Sequence, residues 1–215
     1  MRTLVIGNKT YSSWSLRPWL LMRHFGVEFE EEVLPLDTPE FFRRIPDYSP
    51  TGRVPALHVD GEVVWDSLAI CETANERWSG GRGWPTEPRA RAAARSAACE
   101  MHSGFAALRS QLPMNCKRQP RAPHWDAAVD RDVARIEAIW RDLRGRFGGA
   151  GNFLCGDFGI VDAMYAPVCV RLRGYGVPVA ADSLAYMQRI FELPAMRQWQ
   201  ADADAEPARV EADEA

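Results

Sequence analysis

Three short clusters in this sequence pair residue types with positions that can do chemistry. Tyr11, Ser12 and Ser13 put three hydroxyls in a polar loop just before an apolar helical pattern that runs to Gly26. The unpaired N–H groups and positive dipole end of such a helix mouth attract an anion, and a hydroxyl beside them can donate to it. Arg53, Val54 and Pro55 lead into a short apolar strand. A residue before proline is held extended, so the N–H and C=O of Val54 can pair with an extended ligand where a cis bond turns the chain. Asp66 and Ser67 stand where another helix begins, a position that suits a capping side chain and equally a bound carboxylate. Each cluster also has a structural reading: loop solvation for the serines, an ordinary trans bond at Pro55, a plain N-cap at Asp66.

The elements that must position these clusters follow from periodicity and punctuation. Residues 3–6 read as a buried strand, and the helix ending at Gly26 takes Ser15 as its N-cap and Pro18 in its first turn. Residues 28–36 form an edge-like strand guarded by acids, and Thr38 caps a short helix that opens on Pro39. Two apolar runs on either side of Asp60-Gly61 make a hairpin, after which Leu68, Cys71, Ala74 and Trp78 share one helical face. Residues 79–88, rich in Gly and Pro, form the boundary. Beyond it strand signals disappear: residues 89–112 and 125–147 read as long amphipathic helices, separated by a basic, proline-broken loop (Lys117, Arg118, Pro120, Arg121, Pro123). Asp162 is placed to reach back to the backbone at the start of a third helix, and two short helices follow over 184–193 and 194–200.

The joint pattern, Val54-Pro55-x-Leu57, a hairpin, and Asp66-Ser67 opening a helix, resembles the glutathione site of the glutathione transferase family, and the order of elements follows that family over the whole chain. The resemblance implies an α/β thioredoxin-like N-terminal domain over 1–79, a linker over 80–88, an all-α C-terminal helical domain over 89–201 and an acidic tail over 202–215. It implies that Val54, beside a cis Pro55, pairs with the cysteinyl part of glutathione, that Asp66 and Ser67 hold the γ-glutamyl end, and that Arg53, ahead of Arg43 and Arg44, meets the glycyl carboxylate. Residues 12–17, Ser-Ser-Trp-Ser-Leu-Arg, resemble the "SSCSxR" loop of zeta-class and related bacterial serine-type transferases, which puts Ser12 in the thiolate-stabilising role with Ser13 and Tyr11 as the other candidate hydroxyls. Trp14 stands where the zeta pattern has cysteine, which argues against a zeta-type isomerase. The element near Asp162 resembles the family's buried capping box, with Gly159 in place of its hydroxyl residue.

The chemistry has a workable size. A thiol with a free pKa near ~8.5 needs roughly 2.7 kcal/mol of thiolate stabilisation to fall by about two units. A hydrogen bond to a charged group supplies about 1.5–3 kcal/mol and a helix N-terminus about 0.3–1 more, so one serine hydroxyl together with the helix mouth is of the right size. The implied activity is conjugation of the glutathione thiolate to a hydrophobic electrophile, a detoxifying transferase with glutathione as co-substrate. Tyr11, Trp14, Met101 and Phe105 are the expected acceptor pocket. A glutathione-dependent isomerase or peroxidase, or a non-catalytic glutathione-fold stress protein, are the alternatives. The family also implies a homodimer.

Composition bounds the rest. At 215 residues, with 47% apolar and 26% charged residues, the chain is globular. No run of ~18 apolar residues suggests a membrane span, and the start breaks at Gly7-Asn8-Lys9 before a signal peptide could form, so a cytoplasmic location is expected. Five scattered cysteines read as reduced thiols, and four distant histidines suggest no metal site. Residues 202–215 hold six acids against Arg209, a charge of −5 out of the net −3, so the tail reads as solvated and frayed. The remaining body at +2 offers no footprint for nucleic acid.

Overall fold

The computed structural model describes residues 2–120 and 124–214. Strands β1 (Arg2–Gly7), β2 (Glu30–Leu34), β3 (Ala56–Val59) and β4 (Glu62–Trp65) form one mixed sheet in the order β2-β1-β3-β4. β2 is parallel to β1, with Ile6 opposite Val33, and β3 is antiparallel to β1, with Leu4 opposite Leu57. Side chains alternate across the sheet. Leu4, Ile6, Leu57 and Val59 join the main core, while Val5, Leu34 and Ala56 pack with Phe41 and Ile45 of α2 (Pro39–Tyr48). The hairpin turns on Asp60 and Gly61, both left-handed at φ 54 and 81, the geometry that an Asp-Gly pair supplies at low cost.

Helices α1 (Ser13–His24) and α3 (Ser67–Arg77) pack together, and both meet α7 (Ile160–Gly174) of the second half. α4 (Pro88–Ser103) and α8 (Ala181–Glu192) pack on α7, α6 (Ala127–Phe147) packs on α4, α8 and the short α5 (Ala106–Gln111), and α9 (Pro194–Ala205) packs on α1 and α8. α7 is buried along almost its whole length, which is why its sequence is apolar all round rather than on one stripe. The architecture is thus the expected one, a thioredoxin-like α/β unit followed by an all-α unit. Thr38 caps α2 by accepting from Phe41 N at 3.1 Å, also as expected.

Four local expectations are corrected. α1 begins at Ser13, so Ser12 rather than Ser15 holds the N-cap position, and Pro18 lies inside the helix. Ser15 is drawn inward instead, its Oγ accepting from Gly7 N at 3.1 Å. The helix expected over 89–112 breaks at Gly104, with Phe105 left-handed at φ 60. The break is held by Arg109, whose Nε donates to Gly104 O at 3.0 Å and whose Nη2 donates to His102 O at 3.2 Å and to Met101 O, filling carbonyls that the end of α4 leaves open.

The capping element at α7 is also tighter than the missing hydroxyl suggests. Asp162, wholly buried, accepts from Gly159 N and Leu154 N, both at 3.0 Å, and from Tyr186 Oη at 3.2 Å. A Cβ on Gly159 would come within 2.7 Å of Gly83 O, and that same carbonyl takes Ile160 N–H at 2.8 Å. The side-chain half of the box stays absent, but the boundary segment holds the first N–H of α7 while Asp162 reaches back to Gly159 N.

Finally, the acidic segment is not frayed. α9 continues through Ala205 with Ala203 fully buried, and Val210 is 5% exposed. Its carboxylates find donors on the other half of the chain, which composition cannot reveal. Of the basic loop, Arg121 and Pro123 lie outside the described residues.

Candidate functional site

The loop after β1 is fastened before it reaches α1. Tyr11 N and Ser12 N donate to Asn8 O at 3.2 and 2.8 Å, while Asn8 Oδ1 accepts from Leu36 N at 2.8 Å. Glu206, just beyond α9, accepts from Lys9 N at 2.6 Å, Thr10 N at 2.9 Å and Thr10 Oγ1 at 2.8 Å. Lys9 Nζ pairs with Glu31 and Asp202, both at 2.6 Å.

The three candidate hydroxyls point three ways. Ser12 Oγ is buried and donates to Ser15 Oγ at 2.7 Å, so giving its hydrogen to a ligand means releasing Ser15. Ser13 Oγ accepts from Arg171 Nη2 at 3.3 Å, which leaves its own hydrogen available. Tyr11 Oη donates to Glu214. Burial, then Glu214, push the Tyr11 phenol up to about 12, so it is a protonated donor at neutral pH.

At the second helix mouth the Val54–Pro55 bond is cis, with Pro55 buried and Arg53 exposed. Asp66 caps α3 as expected: its Oδ1 accepts from Leu68 N at 2.8 Å and Ala69 N at 3.3 Å, from a backbone at φ 77. Its Oδ2 lies 3.0 Å from His102 Nε2 of α4. Ser67 Oγ is buried and accepts from Arg17 Nη1 at 3.3 Å, a link that joins the mouth of α3 to the helix following Ser12.

Arg17 is the unexpected centre of the site. It is 1% exposed, its Nε lacks a partner, and burial, followed by repulsion from Arg109 and Arg171, pushes its pKa down to about 9. It stays charged at neutral pH. Among the described residues none of these three arginines forms an ion pair. Trp14, 37% exposed, carries the guanidiniums of Arg17 and Arg109 over its ring at 4.2 and 4.8 Å. Burial, together with Arg17 and Arg109, holds the His102 imidazole below its ordinary value against the pull of Asp66.

Of the expected acceptor residues, Trp14 belongs to this region and the buried Tyr11 turns to Glu214, whereas Met101 and Phe105 are core residues at 1% and 7% exposure. Tyr11 lines a cavity of about 750 Å3 with Asn115, Lys117, Arg118, Arg209 and Glu214. A separate cleft of about 700 Å3, between the boundary segment and the start of α7, shares no residue with either helix mouth. Among the described residues no cluster of His, Cys, Asp and Glu could hold a metal ion.

Sequence reasoning missed Arg17, Arg171 and His102. The signal was present for two of them: Arg17 and Arg171 sit among mostly apolar helical residues, where a charge is costly unless something needs it.

A four-stranded thioredoxin-like sheet joined to a helical domain is the architecture of the glutathione transferase fold class. Residues 11–77 match the family described as glutathione S-transferase, N-terminal domain, and residues 126–201 the family described as glutathione S-transferase, C-terminal domain. Over 158 residues the chain is 31% identical to the Caenorhabditis elegans protein named "Probable maleylacetoacetate isomerase", covering 72% of this chain and 73% of the relative. The chain belongs to the glutathione S-transferase family.

A dichloromethane dehalogenase from Methylorubrum extorquens is 44% identical over 68 residues, 29% of this chain and only 23% of that relative's length. Among solved structures, a Burkholderia glutathione transferase homologue with bound glutathione superposes with TM-score 0.71 at 23% identity, covering 95% of this chain and 99% of that one. A diazinon-metabolizing glutathione S-transferase of the silkworm Bombyx mori gives TM-score 0.71 at 15% identity, over 94% and 97% of the two chains. These likenesses establish the fold.

Proposed function

We propose that this protein is a serine-type glutathione transferase that activates the glutathione thiol at the mouth of α1 and delivers it to an electrophile. The observation that carries the reading is the buried Arg17–Ser67 hydrogen bond, which sets a helix mouth suited to a carboxylate beside the loop that holds Ser12. Asp66 and the α3 N-terminus receive the γ-glutamyl group, with Ser67 and the Arg17 charge drawing its carboxylate. Val54 pairs its backbone with the cysteinyl residue, and exposed Arg53 attracts the glycyl carboxylate. Ser12 turns from Ser15 to donate to the sulfur, the thiol proton passes to solvent, and the thiolate forms a carbon–sulfur bond as the leaving group departs. The working unit is a homodimer in the cytoplasm. Retention on immobilised glutathione together with turnover of chlorodinitrobenzene tests the reading. A protein that is neither retained nor active, while folded by circular dichroism, would overturn it.

A further inference from the structure

The cavity beside Tyr11 already contains a carboxylate, and it belongs to the chain itself. Glu214 accepts there from Tyr11 Oη, from Asn115 Nδ2 at 3.4 Å and from Arg209 Nη2 at 3.1 Å. Asn115 is 6% exposed and anchored, its Oδ1 accepting from Lys117 N at 3.0 Å, so these donors are fixed before any ligand arrives. Lys117 and Arg118 add positive charge to the wall. The neighbouring Asp213 is half-buried and feels the charge of Arg171, the residue that holds Ser13.

Anchoring of the segment does not require this contact. Glu206 alone fastens it with three hydrogen bonds, and Val210 is buried. Meanwhile Arg17, Arg109 and Arg171, brought from three helices, form no ion pair among the described residues, and Asp66 and Asp213 act on Arg17 and Arg171 only through space. Buried like charges without a counterion are costly, and an anion in the crevice relieves that cost.

We propose, granted the glutathione reading above, that the electrophile accepted by the thiolate itself carries a carboxylate, and that this group takes the place of Glu214 on Tyr11 Oη and Asn115 Nδ2. Tyr11 N and Ser12 N both donate to Asn8 O, so the carboxylate site and the thiol site stand on one fastened turn of the loop. Residues 207–214 act as a competing internal ligand that the substrate displaces. A purely apolar acceptor gains nothing from these donors and leaves them on Glu214.

Chlorodinitrobenzoate and chlorodinitrobenzene offer the same reaction with and without the carboxylate: in each, a carbon–sulfur bond forms, chloride leaves and the thiol proton goes to buffer. With kcat/KM divided by the uncatalysed rate for each, the full-length protein should favour the benzoate by about tenfold or more, since a hydrogen bond to a charged group is worth roughly that factor. Asn115→Leu should erase most of the preference while glutathione affinity, read by tryptophan fluorescence, stays put. Glu214→Gln should lower KM for the benzoate by about threefold to tenfold and leave that for chlorodinitrobenzene unchanged, because a neutral side chain competes less well. Dinitrobenzoate binding without glutathione, followed by the same fluorescence, should weaken in Asn115→Leu and tighten in Glu214→Gln. Glutathione binding with no benzoate preference, or a Glu214→Gln change that moves both electrophiles alike, overturns the inference while leaving the transferase reading intact. Absence of glutathione binding sinks the transferase reading, and the dinitrobenzoate titration then decides the carboxylate site independently.

Discussion

Ser12 and Ser15 form a switch whose two ends should respond oppositely to mutation. The Ser12 hydrogen goes to Ser15 Oγ at 2.7 Å. Presenting it to a thiolate gives up a neutral hydrogen bond, about 1 kcal/mol, and gains a charged one, about 1.5–3 kcal/mol, a net of about 0.5–2 kcal/mol. At 1.36 kcal/mol per unit, Ser12 therefore lowers the pKa of the bound thiol by about 0.4–1.5 units. Ser12→Ala should raise that pKa by this amount. Ser15→Ala removes the competing acceptor and should lower it by about 0.7 units. The same change strips Gly7 N of the Ser15 Oγ acceptor, so Ser15→Ala should also lose about 1–3 kcal/mol of stability. A more acidic thiol in a less stable protein is a combination that general damage to the loop would not produce. Ultraviolet absorbance of the thiolate, titrated with pH at saturating glutathione, reads the pKa, and thermal unfolding reads the stability. An unmoved titration in Ser12→Ala, with a shift in Ser13→Ala, would refute the reasoning and transfer the role to the hydroxyl held by Arg171.

Asp162→Asn turns an N–H pair toward Gly159 N and should cost about 1–3 kcal/mol in thermal or urea unfolding. Burial raises the Asp162 carboxyl from its ordinary 3.8 to about 7 against its three donors. Because the folded pKa is the higher one, its stabilisation is complete below pH 3.8 and lost as pH rises through 7. The gap between Asp162→Asn and the native protein should therefore narrow over that interval, and a gap that widens would contradict the assignment. Glu206→Ala should lower stability by about 2 kcal/mol and abolish hydrogen-exchange protection at Lys9 and Thr10, with a higher KM for glutathione. Glutathione at a hundredfold excess over its Kd should add about 2.7 kcal/mol, a rise in Tm of roughly 5–10 °C, and Arg17→Met should remove most of that rise. A full rise in Arg17→Met would show that the arginine does not face the ligand.

Much of the first half could be read directly from residue spacing. The Asp60-Gly61 hairpin, the Thr38 cap and the Asp66 cap depend on residues within a few positions of one another, and backbone sterics and hydrogen bonding act at that range. The sequence alone therefore determined the order of elements, the two helix mouths and the thioredoxin-like frame. Where a side chain belongs to a local pattern but answers to a distant one, that reading failed. Ser15 satisfied the rule for an N-cap, yet the strand end at Gly7 claimed its hydroxyl. The run over 89–112 is alanine-rich with strong helix propensity, yet the chain breaks at Gly104 and Arg109 folds back on the end of α4. Six acids looked solvated until Glu206 and Glu214 met the loop nearly two hundred residues earlier. Arg17, Arg109 and Arg171 are far apart in the chain, and only the packing of α1, α5 and α7 brings their charges to bear on one another. Periodicity fixes which face of a helix is buried, but the partner that covers it, and the field it creates there, come from tertiary packing.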